Sequence, residues 1–191
     1  MVERFVRNEK VRGSTPLGST LQSGSTTVER VTSPTDSAIR SFWERARAAV
    51  PSLPAGLPQA WAFGATPEHA DGLLELVLAG TKTGTASSLW DHEATGEPVP
   101  QPGELSIILD GEGRPRAVLE TTGVSIVPFD EVDEDHARAE GEGDRTLRAW
   151  RGIHERYWRD HSENPRGFES TMPVVCERFR LLHSEPAGRA S

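Results

Sequence analysis

TPEHADGLLELVLAGTKTGTAS, residues 66–87, decides how the rest of the chain is read. Thr66 offers a hydroxyl cap and Pro67 a fixed φ in the first turn, which together mark a helix start. Ala70, Leu73, Leu74, Val77 and Leu78 recur at helical spacing and form one apolar stripe. Gly80 is placed to stop the helix, because glycine reaches the left-handed region without steric cost. The segment predicts an amphipathic helix over 67–79.

The residues after the stop carry the chemistry. Gly80-Thr81-Lys82-Thr83-Gly84-Thr85 sets one amine among hydroxyls. The chain has nineteen arginines and two lysines, and the other lysine, Lys10, lies in the N-terminal tail. A position that needed only positive charge would, by this chain's habit, hold arginine. Lysine differs because desolvation can remove its proton and leave a base. Lys82 is thus a candidate basic catalyst. The alternative is an ammonium that holds a ligand phosphate or carboxylate.

Working outward, residues 37–49 predict a helix capped by Asp36 or Ser37, with Ile39, Phe42, Trp43, Ala46 and Ala49 at helical spacing. Residues 59–63 predict a short strand, and 105–109, 117–119 and 124–127 predict more, with Gly123 as a bulge. A third helix is expected over 144–161 with Asp144 as its cap. A last strand is expected over 173–182 with Val175, Phe179 and Leu181 buried. Short strands with helices before and between them indicate α+β rather than a regular βαβ alternation.

Residues 1–35 are rich in Ser, Thr, Gly and Arg and read as a disordered tail; 36–185 read as one domain and 186–191 as a flexible end. Net charge is −8, and residues 41–191 alone hold fifteen basic and twenty-five acidic side chains. So acidic a domain is a poor general polyanion binder, and no DNA specificity is expected. No apolar run approaches a membrane span and the N-terminus shows no secretory pattern, so a cytoplasmic protein is expected. Cys176 is alone, in an apolar run, and reads as a small core residue. The six histidines show no paired metal-binding spacing and no nucleotide-binding glycine motif is present, so neither metal nor cofactor is expected.

Several segments in order resemble the ASCH domain family, whose fold is a small PUA-like β-barrel with flanking helices. They are Trp61-Ala62-Phe63-Gly64, Leu78 to Ser87, Pro102-Gly103-Glu104-Leu105-Ser106, Val127 to Val132, His136 to Asp144, and Met172 to Phe179. The family is regarded as RNA-associated, and one branch hydrolyses N4-acylated cytidine. By that resemblance Lys82, Thr85 and Glu140 take the catalytic roles. Where that branch has an arginine two positions past the threonine, this chain has Ser87, and it carries a longer loop over 89–101. The resemblance implies a cofactor-free hydrolase acting on RNA or a modified nucleoside, as an amidohydrolase or a ribonuclease. The alternatives are a non-catalytic RNA- or nucleotide-binding module and a ligand-sensing domain.

Acyl transfer needs a nucleophile, a base and donors for the developing oxyanion. Thr85 offers the hydroxyl, a neutral Lys82 the base, and Glu140 a group to orient the lysine or pass a proton to the leaving amine. Thr83 and Ser87 are candidate substrate contacts, and Trp90 and Phe63 candidate base-stacking platforms. Read without the resemblance, Thr85 is equally a strand threonine and Glu140 a solvated residue in an acidic run. Lys82 and Thr85, three apart, share a face only if the backbone bends, which Gly84 permits. The tryptophans at 43, 61, 150 and 158 read as core, and Arg145, Arg148 and Arg151 as a solvated helix face.

Overall fold

The computed structural model describes residues 34–186 apart from Ala65. Most of the expected N-terminal tail and the last five residues lie outside the described residues. The elements run α1 (Pro34–Ala49), β1 (Gln59–Trp61), α2 (Pro67–Leu78), β2 (Gly84–Ser88), α3 (Leu89–Thr95), β3 (Leu105–Leu109), β4 (Pro115–Pro128), α4 (Glu134–Glu140), α5 (Leu147–His161) and β5 (Pro173–Ser184). The five strands form one sheet in the order β1-β3-β4-β5-β2. The β1–β3 pair is parallel and the others are antiparallel.

Alternation along β3 and β4 assigns α1 and α2 to opposite faces. Ile107 and Val118 meet Ile39, Phe42, Trp43 and Ala46 of α1. Ile108, Ala117 and Leu119 meet Leu73, Leu74 and Val77 of α2. Successive side chains of a strand point to opposite faces, so each helix finds its own apolar set. A third core joins α4 and α5 to β2 and β5 through Ala137, Trp150, Trp158, Ala86, Val174 and Cys176.

The local signals in the sequence explain most boundaries. Thr66 accepts from the His69 amide, as a cap should. At the other end Gly80 has φ +71°. Its amide donates to Val77 O at 2.9 Å and the Thr81 amide to Leu76 O at 2.9 Å. That pair of bonds is a Schellman stop.

The structure corrects several expectations. The first helix begins at Pro34, three residues before the predicted start. The first strand ends at Trp61, short of Phe63. β4 is one continuous strand, although its pairing with β5 shifts register between Thr121 and Gly123, where the bulge was expected. The helix expected from Asp144 begins at Leu147 with Thr146 as its cap. Asp144 instead accepts from the Thr146 amide and hydroxyl. No helix was expected in the acidic run, yet residues 134–140 form α4 with Asp133 as cap. Similarly, 89–95 form α3 within the predicted loop. Leu181 is 38% exposed although burial was expected. A register shift between Val118 and Leu119 turns the strand there, and Leu182 packs against the α1 core in its place. Among the described residues no helix is long and apolar enough to cross a membrane.

Candidate active site

The Schellman stop also sets the lysine. With Thr81 wrapped onto Leu76, the Lys82 amide reaches the same carbonyl at 3.0 Å. The Thr83 amide then donates to Ala139 O at 2.7 Å, which ties the segment to α4. Gly141 ends α4 at φ +75°, and a β-carbon there would lie 2.8 Å from Thr81 O. Only glycine allows that approach. These contacts aim Lys82 at the carboxylates on either side of Gly141.

Lys82 Nζ lies 3.1 Å from Glu140 Oε2 and 2.6 Å from Glu142 Oε1. Lys82 is 1% exposed and Glu140 0%. The other Glu140 oxygen accepts from Trp150 Nε1 at 2.7 Å and lies 3.1 Å from His136 Nε2. His154 Nε2 is 3.5 Å from that oxygen, and its ring stacks on Trp150 at 4.2 Å. Burial pushes the Glu140 carboxyl up, but the Lys82 charge, then His154 and His136, outweigh it and hold the group far below the usual carboxylate range. Opposite charges this close favour the charged form of both partners. At rest, then, Lys82 is a buried ammonium held by two carboxylates.

A cavity of about 110 Å³ opens beside β2. Trp61, Tyr157 and Trp158 supply aromatic wall, and Thr85, Ser87, His92 and Glu177 face it with polar groups. Thr85 and Glu177 are cross-strand partners in β2 and β5. The Thr85 hydroxyl is buried and has no hydrogen-bond partner among the described residues. Glu177 accepts from Thr121 Oγ1 at 2.6 Å. Ser87 Oγ and His92 Nε2 are 2.9 Å apart. Asp91, Glu97 and Glu163 add carboxylates at the wall, and among the described residues no lysine or arginine lines the cavity.

The predicted site residues therefore separate into two layers. Lys82 and Glu140 come together, while Thr85 and Ser87 lie in the cavity wall without a bond to that pair. The layers touch through ring contacts. Lys82 Nζ lies 5.5 Å from the Phe63 centroid, Phe63 packs edge-on against Trp61 at 4.7 Å, and Trp150 meets Trp158 at 6.3 Å. Phe63 is fully buried and is core rather than an open stacking surface. Trp90 carries the Arg166 guanidinium 5.0 Å above its ring and does not line the cavity. Thr83 is exposed and bonds through its backbone to Ala139 and Phe179.

Sequence reasoning missed Glu142, His136, Trp150 and His154 around the lysine, and His92 and Glu177 in the cavity. A signal existed for some of them. His136 and Glu140 are spaced i, i+4, as are Trp150 and His154, so each pair shares a helix face. Tryptophans 43, 61, 150 and 158 are all buried, although Trp61 and Trp158 also wall the cavity.

A second hollow, on the other side of β5, holds His136, Cys176 and Arg178. Burial, with the Glu140 and Asp133 charges, pushes the Cys176 thiol up to about 12, so it stays protonated and unreactive. Among the described residues no group of three or more His, Cys, Asp or Glu side chains is disposed to hold a metal ion.

The model of the ASCH domain matches residues 59–183. The chain belongs to the ASCH domain family. A crystal structure of a protein from Enterococcus faecalis is 34% identical, covering 76% of this chain and 88% of that one, at a TM-score of 0.69. An ASCH domain from Lactobacillus crispatus is 27% identical, covering 76% of this chain and 94% of that one, also at a TM-score of 0.69. No curated protein matches the chain. The α+β, PUA-like architecture expected from the sequence is the one observed.

Proposed function

We propose that this ASCH domain is a cofactor-free hydrolase of an acylated nucleoside, acting in the cavity beside β2. The observation that carries the reading is the Thr85 hydroxyl, buried without a partner in a cavity walled by Trp61, Tyr157 and Trp158. A buried hydroxyl left unpaired is costly, and a ligand that accepts from it recovers that cost. Aromatic walls suit a planar heterocycle. The buried Lys82–Glu140 pair lies one ring layer behind and supplies fixed charge to the site.

Between RNA and a free nucleoside, the lining favours the nucleoside. Phosphate oxygens are ordinarily met by lysine, arginine or backbone amides. Among the described residues no lysine or arginine lines this cavity, and at least four carboxylates do. N4-acylated cytidine, implied by the family resemblance, carries no charge and fits that requirement.

The test is turnover of N4-acetylcytidine by the purified chain, followed by chromatography of cytidine. Wild type is expected to release cytidine. Thr85→Ala is expected to lose about 10²-fold or more in kcat/KM, the scale of losing one positioned polar group. Absence of cytidine release across a panel of acylated nucleosides overturns the reading. One observation favours a second reading, a binding module without turnover. Lys82 is already neutralised by Glu140 and Glu142. In that case N4-acetylcytidine binds, by calorimetry, and no cytidine is released.

A further inference from the structure

Three hydroxyl residues of β2 line the cavity, Thr85, Ser87 and Ser88; Ser88 caps the next helix, and Thr85 and Ser87, two residues apart, share one face of the strand. Their surroundings differ. Thr85 Oγ1 has no partner among the described residues, whereas Ser87 Oγ sits 2.9 Å from His92 Nε2. His92 is 8% exposed and belongs to α3, the helix formed within the longer loop of this chain. That helix is held in place at its first turn. The Ser88 hydroxyl caps it by accepting from the Asp91 amide at 3.4 Å. Asp91 Oδ1 in turn accepts from the Glu163 and Asn164 amides at 3.1 and 3.0 Å, and from Asn164 Nδ2. An imidazole on a fixed helix, at hydrogen-bond distance from a serine that opens to a cavity, is a nucleophile with its base in place.

We propose that Ser87 is the nucleophile of this cavity and His92 its general base, so that acyl transfer passes through an acyl-serine. The inference rests on reading the cavity as hydrolytic, but on no particular substrate. In the Nδ1–H tautomer His92 Nε2 accepts from Ser87. As Ser87 Oγ bonds to the acyl carbon, its proton passes to Nε2. The bond from that carbon to the leaving nitrogen or oxygen breaks, and the leaving group takes the proton from Nε2. Water then attacks the acyl-serine, gives one proton to Nε2, and the carboxylic acid departs as Ser87 Oγ regains that proton. Thr85 Oγ1, unpartnered and next along the same face, is left to donate to the acyl oxygen. Lysine is not required as a base, which agrees with its being held between two carboxylates.

The experiment exposes the full chain to p-nitrophenyl acetate and locates the acetyl group by peptide mass spectrometry. Wild type is expected to carry it on Ser87. Ser87→Ala is expected to lose the label. Ser87→Cys is expected to regain it on the new thiol, which separates loss of the nucleophile from loss of fold. His92→Gln is expected to slow labelling about 10²- to 10⁴-fold, the usual worth of a positioned base. Cys176→Ser is expected to label like wild type, since that thiol lies on the other side of β5. Label on another residue, or labelling unchanged in Ser87→Ala or His92→Gln, overturns the dyad. The same proteins assayed with N4-acetylcytidine keep the two readings apart. Turnover that survives Ser87→Ala removes the dyad and keeps the nucleoside hydrolase. Acetyl-Ser87 without nucleoside turnover keeps the dyad and removes the nucleoside substrate.

Discussion

The Lys82 cluster and the cavity beside β2 lie a ring's width apart and obey opposite rules. In the cluster, Glu140 takes Lys82 on one oxygen and Trp150 and His136 on the other. In the cavity, Thr85 keeps an unused hydroxyl and Ser87 a hydrogen bond that can be traded for a substrate. The difference is one of consequence. Charges removed from water must be matched inside the protein or the fold is lost. A hydroxyl that meets a ligand must be left incompletely matched. The same chain segment supplies both, because the helix stop at Gly80 directs Lys82 into the interior and β2 then carries Thr85 and Ser87 to the cavity.

The largest expected effect comes from breaking the satisfied side. Lys82→Met leaves Glu140 and Glu142 buried without their cation and is expected to cost about 3–5 kcal/mol of stability. Urea unfolding measures it, and a loss below about 1 kcal/mol would mean that the cluster is not the fixed element described. Next, Thr85→Ala touches only the unsatisfied side. Its expected signature is a fall in turnover of about 10²-fold, near 2.7 kcal/mol of barrier, with a melting temperature close to wild type. If stability falls and activity does not, the contrast between the two regions is wrong.

Gly141→Ala tests what holds the cluster in place. It combines left-handed strain with a contact against Thr81 O, and about 1–2 kcal/mol or more is expected from the strain alone. The effect should appear in both denaturation and activity, since Lys82 follows Thr81 directly.

Acid sharpens the comparison further. The folded Glu140 carboxyl lies below its ordinary value of 4.5. The unfolded chain therefore takes up this proton first as pH falls, and the stability it contributes is fully present above about 4.5 and declines below it. Urea midpoints between pH 7 and pH 3 should fall more steeply for wild type than for Glu140→Gln. Smallest of all, Arg159→Ala removes an exposed pair with Glu155 at 2.8 Å and is expected to change stability by under about 0.5 kcal/mol.

The fold was largely legible because its signals are local. Thr66, Pro67 and Gly80 bound α2, and the stripe from Ala70 to Val77 names its buried face. The site was legible only in part. Lys82 stood out by composition, and Glu140 by resemblance. Glu142 and His136 were hidden in an acidic run in which only Glu140 was singled out. The repeated carboxylates masked a helix of about two turns whose i, i+4 pair faces inward. Glu177 left no such mark, since β5 reaches the cavity by long-range pairing with β2, and His92 meets Ser87 only because α3 begins at Leu89 inside the predicted loop.

By itself, the sequence determined the punctuation of the chain. Caps, stops and apolar periods are properties of neighbours a few residues apart, and backbone sterics enforce them wherever the chain goes. The tertiary structure alone decided which polar groups are satisfied. Whether Lys82 is a base or a clamped ammonium depends on distances of about 3 Å to Glu140 and Glu142, 58 and 60 residues along the chain, and Ser87 gains a base only where the chain turns from β2 into α3 and brings His92 back to it. Electrostatic and hydrogen-bond energies turn on those distances and on burial, and neither is written in the order of the residues.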